Sequence, residues 1–187
     1  IKPAILCKDL KEVVKQYEGQ HFGNARIVIT GKGRVGKGAA EIMKYAGIKY
    51  VAPQEFLEDI HKEAVYTQID ADEIHVNKSG KPFDFPHFFA HPDEYKSNFA
   101  RYAKKANVLI NCIYWDSKSP RLFEEEDVNS PDFNIRTISD ISCDINGSVP
   151  ITHRASAISD PIFGYNILTR EETLPYQCDT IDMMTVD

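Results

Sequence analysis

What is missing narrows the field first. No apolar run in the 187 residues approaches the roughly 20 residues a membrane-spanning helix needs. No charged-then-apolar segment opens the chain, so no secretory leader is read there. Lysine and arginine total 22 against 28 acidic residues, a formal charge of −6, and that balance lacks the electrostatic footprint of a nucleic-acid binder. The four cysteines, Cys7, Cys112, Cys143 and Cys178, lie far apart with no C-x-x-C pair. They read as reduced cytoplasmic thiols, not as disulfides or a zinc site. Internal repeats and low-complexity segments are absent, and the length suits a single domain with a real core.

What is present is organised around Arg26 to Ala40. Ile27 to Thr30 is a short β-branched run that reads as a buried parallel strand. Gly31, Gly33 and Gly36 follow at the G-x-G-x-x-G spacing, and Ala39 to Ala46 is helix-forming, closed by Gly47. In a dinucleotide site the first glycine turns the chain and the second admits a pyrophosphate. The third lets helix and strand pack closely. Arg34 and Val35 would offer backbone amides at the helix start. A glycine-rich βα turn without a ligand is the bland alternative. Gly31 to Lys37 also fits G-x-x-x-x-G-K, but Gly38 supplies no hydroxyl for magnesium, which argues against a P-loop NTPase.

The core strands expected of a doubly wound parallel α/β sheet, with helices on both faces, are Ile27–Thr30, Ile48–Val51, Val108–Ile113 and Thr137–Ile141. Leu10 to Tyr17 and Asp93 to Ala106 carry helical periodicity. Pro53 starts a short helix. Residues 60–95 read as an insertion with strand-like runs at Val65 to Ile69 and Glu73 to Val76. His87 and His91 stand four apart, but Pro86 and Pro92 bracket them and no H-E-x-x-H appears. They read as loop or interface histidines, and no metal is expected. Counting about twenty residues from Gly31 reaches Val51 to Gln54, which hold no acid for an adenosine ribose. That leaves room for a 2′-phosphate and tilts an NAD(P) site toward NADP. Trp115, the only tryptophan, follows the third strand, where ligands gather in such sheets. Ile1-Lys2-Pro3 and the run from Ile181 to Asp187 both look cut, so residues 1–187 read as one domain of a longer, two-domain protein.

Several segments in order carry a resemblance: Gly31 to Ala39, Ile110 to Trp115, Pro120 to Leu122, Asp140 to Asp144, Asp160 to Tyr165, and Val186-Asp187. Together they resemble the nucleotide-binding domain of the saccharopine dehydrogenase and lysine–ketoglutarate reductase group, within the alanine dehydrogenase and transhydrogenase superfamily. Tyr50 to Pro53 looks closest to the lysine–ketoglutarate reductase branch, which favours NADPH. The resemblance implies a Rossmann-type domain of an oxidoreductase of lysine metabolism, moving hydride at a C–N bond. It implies that Gly31, Gly33, Arg34, Val35 and Gly36 hold the cofactor, with Tyr114, Trp115, Asp140 and Ser142 approaching it. Asp144 matches the position of a catalytic aspartate in the alanine dehydrogenase branch, although Asn146-Gly147 replaces the double glycine found there. The resemblance implies that the other acid–base groups, and most contacts to an amino-acid substrate, belong to a domain outside this chain. An alanine dehydrogenase-like enzyme and a nucleotide-sensing module without chemistry remain alternatives. Neither nucleic acid nor membrane is an expected partner, and a homo-oligomer is left open.

Overall fold

A computed structural model describes residues 2–186; Ile1 and Asp187, and with them the ends of the two expected cut sites, lie outside it. The chain enters through helix α1 (Leu10–Lys15), capped where the Asp9 carboxylate accepts from the Glu12 amide. Strand β1 (Arg26–Thr30) then runs into helix α2 (Arg34–Tyr45). β2 (Lys49–Tyr50) and α3 (Pro53–Glu58), with proline in its first turn, precede β3 (Val65–Ile69). Next come α4 (Ala71–Ile74), β4 (His75–Asn77), α5 (Phe85–Ala90), β5 (Tyr95–Ser97) and α6 (Ala100–Ala103). The remaining strands are β6 (Val108–Asn111), β7 (Thr137–Asp140), β8 (Ile162–Asn166), β9 (Glu172–Thr173) and β10 (Thr180–Met184). No helix among the described residues is long and apolar enough to cross a membrane.

Eight strands form one sheet in the order β2-β3-β1-β6-β7-β10-β8-β9. The pairings from β2 through β10 are parallel, and β8 and β9 add antiparallel strands at one edge. Apolar residues on both faces make this stable. Ile27 and Ile29 pack with Ile48, Tyr66 and the inner side of α2, while Val28, Leu109 and Ile138 join the larger cluster on the other face. From β1 the chain passes to one side (β3) and later returns on the other (β6), so the direction of winding reverses between these strands. Open α/β sheets bind ligands at the carboxyl ends of strands beside such a reversal.

The α/β expectation holds, with three corrections inside it. First, the strand beside β1 is β3, paired in register from Arg26↔Val65 to Thr30↔Ile69. Val65 to Ile69 is therefore a central strand, and the insertion begins only after it. Second, the expected core strand Ile48–Val51 shrinks to the two exposed residues of β2, at the sheet edge. Its apolar run is short because only Ile48 and Val51 turn inward. Third, the helix expected from Asp93 to Ala106 is interrupted. Pro92–Glu94 forms a tight turn, Tyr95 to Ser97 pairs with β4, and only Ala100–Ala103 remains helical. Tyr95, only 1% exposed, is more stable buried against the insertion's aromatic residues than on a helix.

Candidate functional site

The glycine turn supplies the floor of the site. Gly31 adopts φ +85°, and its amide continues the ladder by donating to the Ile69 carbonyl at 2.8 Å. A Cβ there would lie 2.9 Å from the Cys112 carbonyl oxygen, so both conformation and space call for glycine. Gly36 is tighter still: a Cβ would sit 2.0 Å from the Gly31 carbonyl oxygen. That oxygen also accepts from Gln68 Nε2 at 2.8 Å. Gly33 differs, since a Cβ there would meet nothing within 4 Å. It caps α2 without a side-chain hydrogen bond. The first intrahelical bond runs from the Lys37 amide to the Gly33 carbonyl, which leaves the amides of Arg34, Val35 and Gly36 without an intrahelical acceptor. Three donors and the positive end of the helix dipole stand at the turn.

A cleft of about 780 Å³ opens above this turn. It runs from Asp70 and Ala71 at the end of β3, across Gly31 to Val35, to Cys112 to Asp116 at the end of β6 and Ser142 and Asp144 beyond β7. Of the residues singled out in the sequence, Gly31, Gly33, Arg34, Val35 and Asp144 line it, as do Tyr114, Trp115 and Ser142. Tyr114 is 91% exposed, while Trp115 is half-buried and its indole Nε1 donates to the Ser119 carbonyl at 3.2 Å. Gly36 lies below the lining and shapes it through Gly31.

Asp140 lies below it too. Its carboxylate is 1% exposed and accepts from Asn111 Nδ2 at 2.8 Å, Ser142 Oγ at 2.7 Å and Thr152 Oγ1 at 2.6 Å. Asn111 also donates to Ser148 Oγ and accepts from Thr30 Oγ1. This network ties the ends of β1, β6 and β7 to the loop that presents Asp144. A buried carboxylate is tolerated because each hydrogen bond to a charged acceptor is strong. Beside it, burial and then Asp140's charge push the Cys112 thiol up to about 11, so it is a neutral wall of the cleft.

Two groups escaped the sequence reading. Asp70 stands at the end of the strand next to β1, where a ribose-binding acid belongs. The count from Gly31 stopped at β2, so the strand end on which the NADP expectation rested is not the one beside β1. The signal available was Ile69-Asp70, after a strand that had been assigned to the insertion. Asp70 also caps α4, accepting from the Ala71 amide at 2.9 Å. Lys32 of the turn reaches across to Glu73 at 3.1 Å. Burial works against its charge, but Glu73 and the neighbouring acids raise its pKa overall. The second group is the aromatic face of α5, where Phe85 and Phe89 line the cleft.

A β-strand, glycine turn and uncapped helix at the reversal point of a mostly parallel sheet define a Rossmann-like α/β domain. In sequence the chain is a relative of the saccharopine dehydrogenase and lysine–ketoglutarate reductase group. It is 30% identical over 160 residues to alpha-aminoadipic semialdehyde synthase of Arabidopsis thaliana, covering 75% of this chain and 15% of that protein. It is likewise 30% identical over 169 residues to the mitochondrial alpha-aminoadipic semialdehyde synthase of Rattus norvegicus, covering 78% and 18%. A saccharopine dehydrogenase (NAD(+), L-lysine-forming) of Emericella nidulans is 24% identical over 182 residues, covering 95% of this chain and 40% of that one. The chain thus spans less than half of each relative. No protein-family model matches it.

Proposed function

We propose that this chain is the nicotinamide-dinucleotide-binding domain of an oxidoreductase acting at a C–N bond, of the saccharopine dehydrogenase or lysine–ketoglutarate reductase type. The observation that carries it is the open space over Gly33 between the uncapped start of α2 and Asp70. Backbone approach, amide donors and a ribose acceptor meet there in one cleft. The residues fit a dinucleotide: Arg34, Val35 and Gly36 offer amides to a pyrophosphate, and Asp70 offers a carboxylate to ribose hydroxyls. Ser142 and Asp144 border the far end, where a nicotinamide ring would lie. The bound cofactor supplies hydride chemistry; the chain supplies binding, orientation and charge around the ring. The half-buried lining of Cys112, Ile113 and Trp115 excludes water from that end. Asp144 is an acceptor for a substrate amine or the carboxamide, held in place by the network beneath it. The substrate's remaining contacts and the main acid–base groups belong to a further domain, as the chain's share of its relatives' length suggests.

Asp70, with Asp72 and Glu73 beside it, selects NADH, because a 2′-phosphate would bring its charge against these carboxylates. Calorimetric titration of NADH and NADPH into the wild-type chain and Asp70→Asn tests both halves. Asparagine keeps the cap on α4 but removes the charge. The expected result is tighter NADH binding to wild type and a preference reduced about tenfold in the variant, the scale of one charge-assisted hydrogen bond. Equal or tighter NADPH binding to wild type would remove Asp70 from the ribose. Binding of neither would end the dinucleotide reading.

A further inference from the structure

The cleft has a wall that the phosphate turn does not explain. After β3 the chain builds α4, the β4–β5 pair and α5, and this unit returns over the carboxyl end of the sheet. Phe85, Phe88 and Phe89 of α5 all reach the cleft. Phe88 is buried, but Phe85 is 42% and Phe89 73% exposed. Large aromatic rings left open at a cleft, and not in a core, mark a surface that gains stability from an occupant.

The wall is also held still. The Asp84 carboxylate accepts from the His87 amide at 2.7 Å and caps α5. Phe83 meets Phe85 edge-on at 5.0 Å and Phe88 at 5.4 Å, while Phe88 lies 4.7 Å from the His75 ring and 5.1 Å from Tyr95. Burial lowers the pKa of His75, so the backing imidazole is neutral and adds no charge behind the wall. A preordered aromatic surface loses little entropy on binding.

Position decides what the surface takes. Phe88 packs on the His75 ring, whose Nδ1 lies 3.3 Å from the Ala71 carbonyl oxygen, and Asp70 and Ala71 line the same cleft, so the wall is anchored beside the strand end that carries Asp70. With the ribose at Asp70, the next chemical group along a dinucleotide on that side is a flat, neutral purine. We infer that Phe85 and Phe89 form the adenine subsite, so that the insertion after β3 is part of the cofactor site. This rests on the dinucleotide reading above and adds the partner of its adenine ring. A base stacked on an aromatic side chain raises affinity by about tenfold or more.

The test uses probes that separate the two ends of the cofactor: ADP-ribose carries the adenosine half, and reduced nicotinamide mononucleotide carries the other. Both, together with NADH, are titrated calorimetrically into wild type, Phe89→Ala, Phe85→Ala/Phe89→Ala and Phe89→Trp. The alanine variants should weaken ADP-ribose and NADH by about tenfold or more and leave the mononucleotide's affinity unchanged. Phe89→Trp should restore or strengthen ADP-ribose binding. Thermal melting identifies any variant that has lost its fold, and Phe89, the more exposed ring, keeps the test usable if the double variant has. Wild-type affinity for ADP-ribose in Phe89→Ala, with NADH still bound by wild type, would overturn the adenine subsite and leave the dinucleotide reading standing. Equal losses for ADP-ribose and the mononucleotide would overturn it as well, as a general loosening of the cleft. Failure of wild type to bind NADH at all would remove both.

Discussion

The two halves of the cleft are built from different materials. The glycine-turn side is backbone: a glycine at positive φ, a glycine with no room for a Cβ, and amides at an uncapped helix start. The Asp70 side is side chains: a carboxylate at a strand end and rings on a short helix standing on other rings. A backbone site tolerates no added atom at its turning points, yet is indifferent to the side chains around it. A side-chain site depends on identity at a few positions and on whatever holds those side chains in place. The two should therefore fail in different ways.

The largest effect should come from the backbone half. Gly36→Val puts its first carbon against the Gly31 carbonyl, and neither α2 nor β1 can move away without losing packing. A stability loss of about 3 kcal/mol is expected, read as a lower urea midpoint with an unchanged slope. A near-neutral result would mean that the turn has slack and is not a rigid cradle.

Asp140→Asn comes next. It replaces an acceptor of three hydrogen bonds by a group whose NH2 must face other donors. About 2 kcal/mol should be lost, and hydrogen exchange in the 140–152 loop should speed up. Unchanged exchange there would show that Asp140 does not hold the loop that presents Asp144.

Gly33→Val separates binding from folding. With open space around it and φ −74°, the fold should barely respond, while dinucleotide affinity should fall at least about tenfold through displaced amide contacts. Normal NADH binding by a folded Gly33→Val would place the phosphates elsewhere.

The smallest effect lies behind the aromatic wall. Burial lowers His75's pKa in the fold, so protonation favours the unfolded chain, where histidine titrates near about 6.5. Its share of stability is therefore present above that pH and lost as pH falls through the lowered folded value. His75→Gln should flatten the fall in melting temperature between neutral and mildly acidic pH by a few degrees. Parallel curves for the two proteins would show that the ring behind Phe88 is not the acid-sensitive element.

Legibility followed the same division. The glycine turn could be read from Ile27 to Gly47 because every requirement is local: a β-branched strand, three glycines at fixed spacing and a helix with a glycine stop. Asp144 and Ser142 were reached through resemblance and Trp115 by its place after the third expected strand, and all three line the cleft. Asp140 was expected at the cofactor but lies under the cleft, since alternation along a strand cannot tell which acid faces a cavity and which faces three donors. Asp70 was passed over because its strand, Val65 to Ile69, was placed in the insertion.

By itself the sequence determined the fold class and the βα turn, because strand, turn and helix signals act over a few residues and need no partner. Which strand stands beside β1, which aspartate is buried, and where Phe85 and Phe89 come to rest were decided only by the tertiary structure. Sheet order depends on pairings between residues as distant as Arg26 and Val65 and on the shared core they close. A short apolar run carries no mark of whether its neighbour in space will be the previous strand or one much further away.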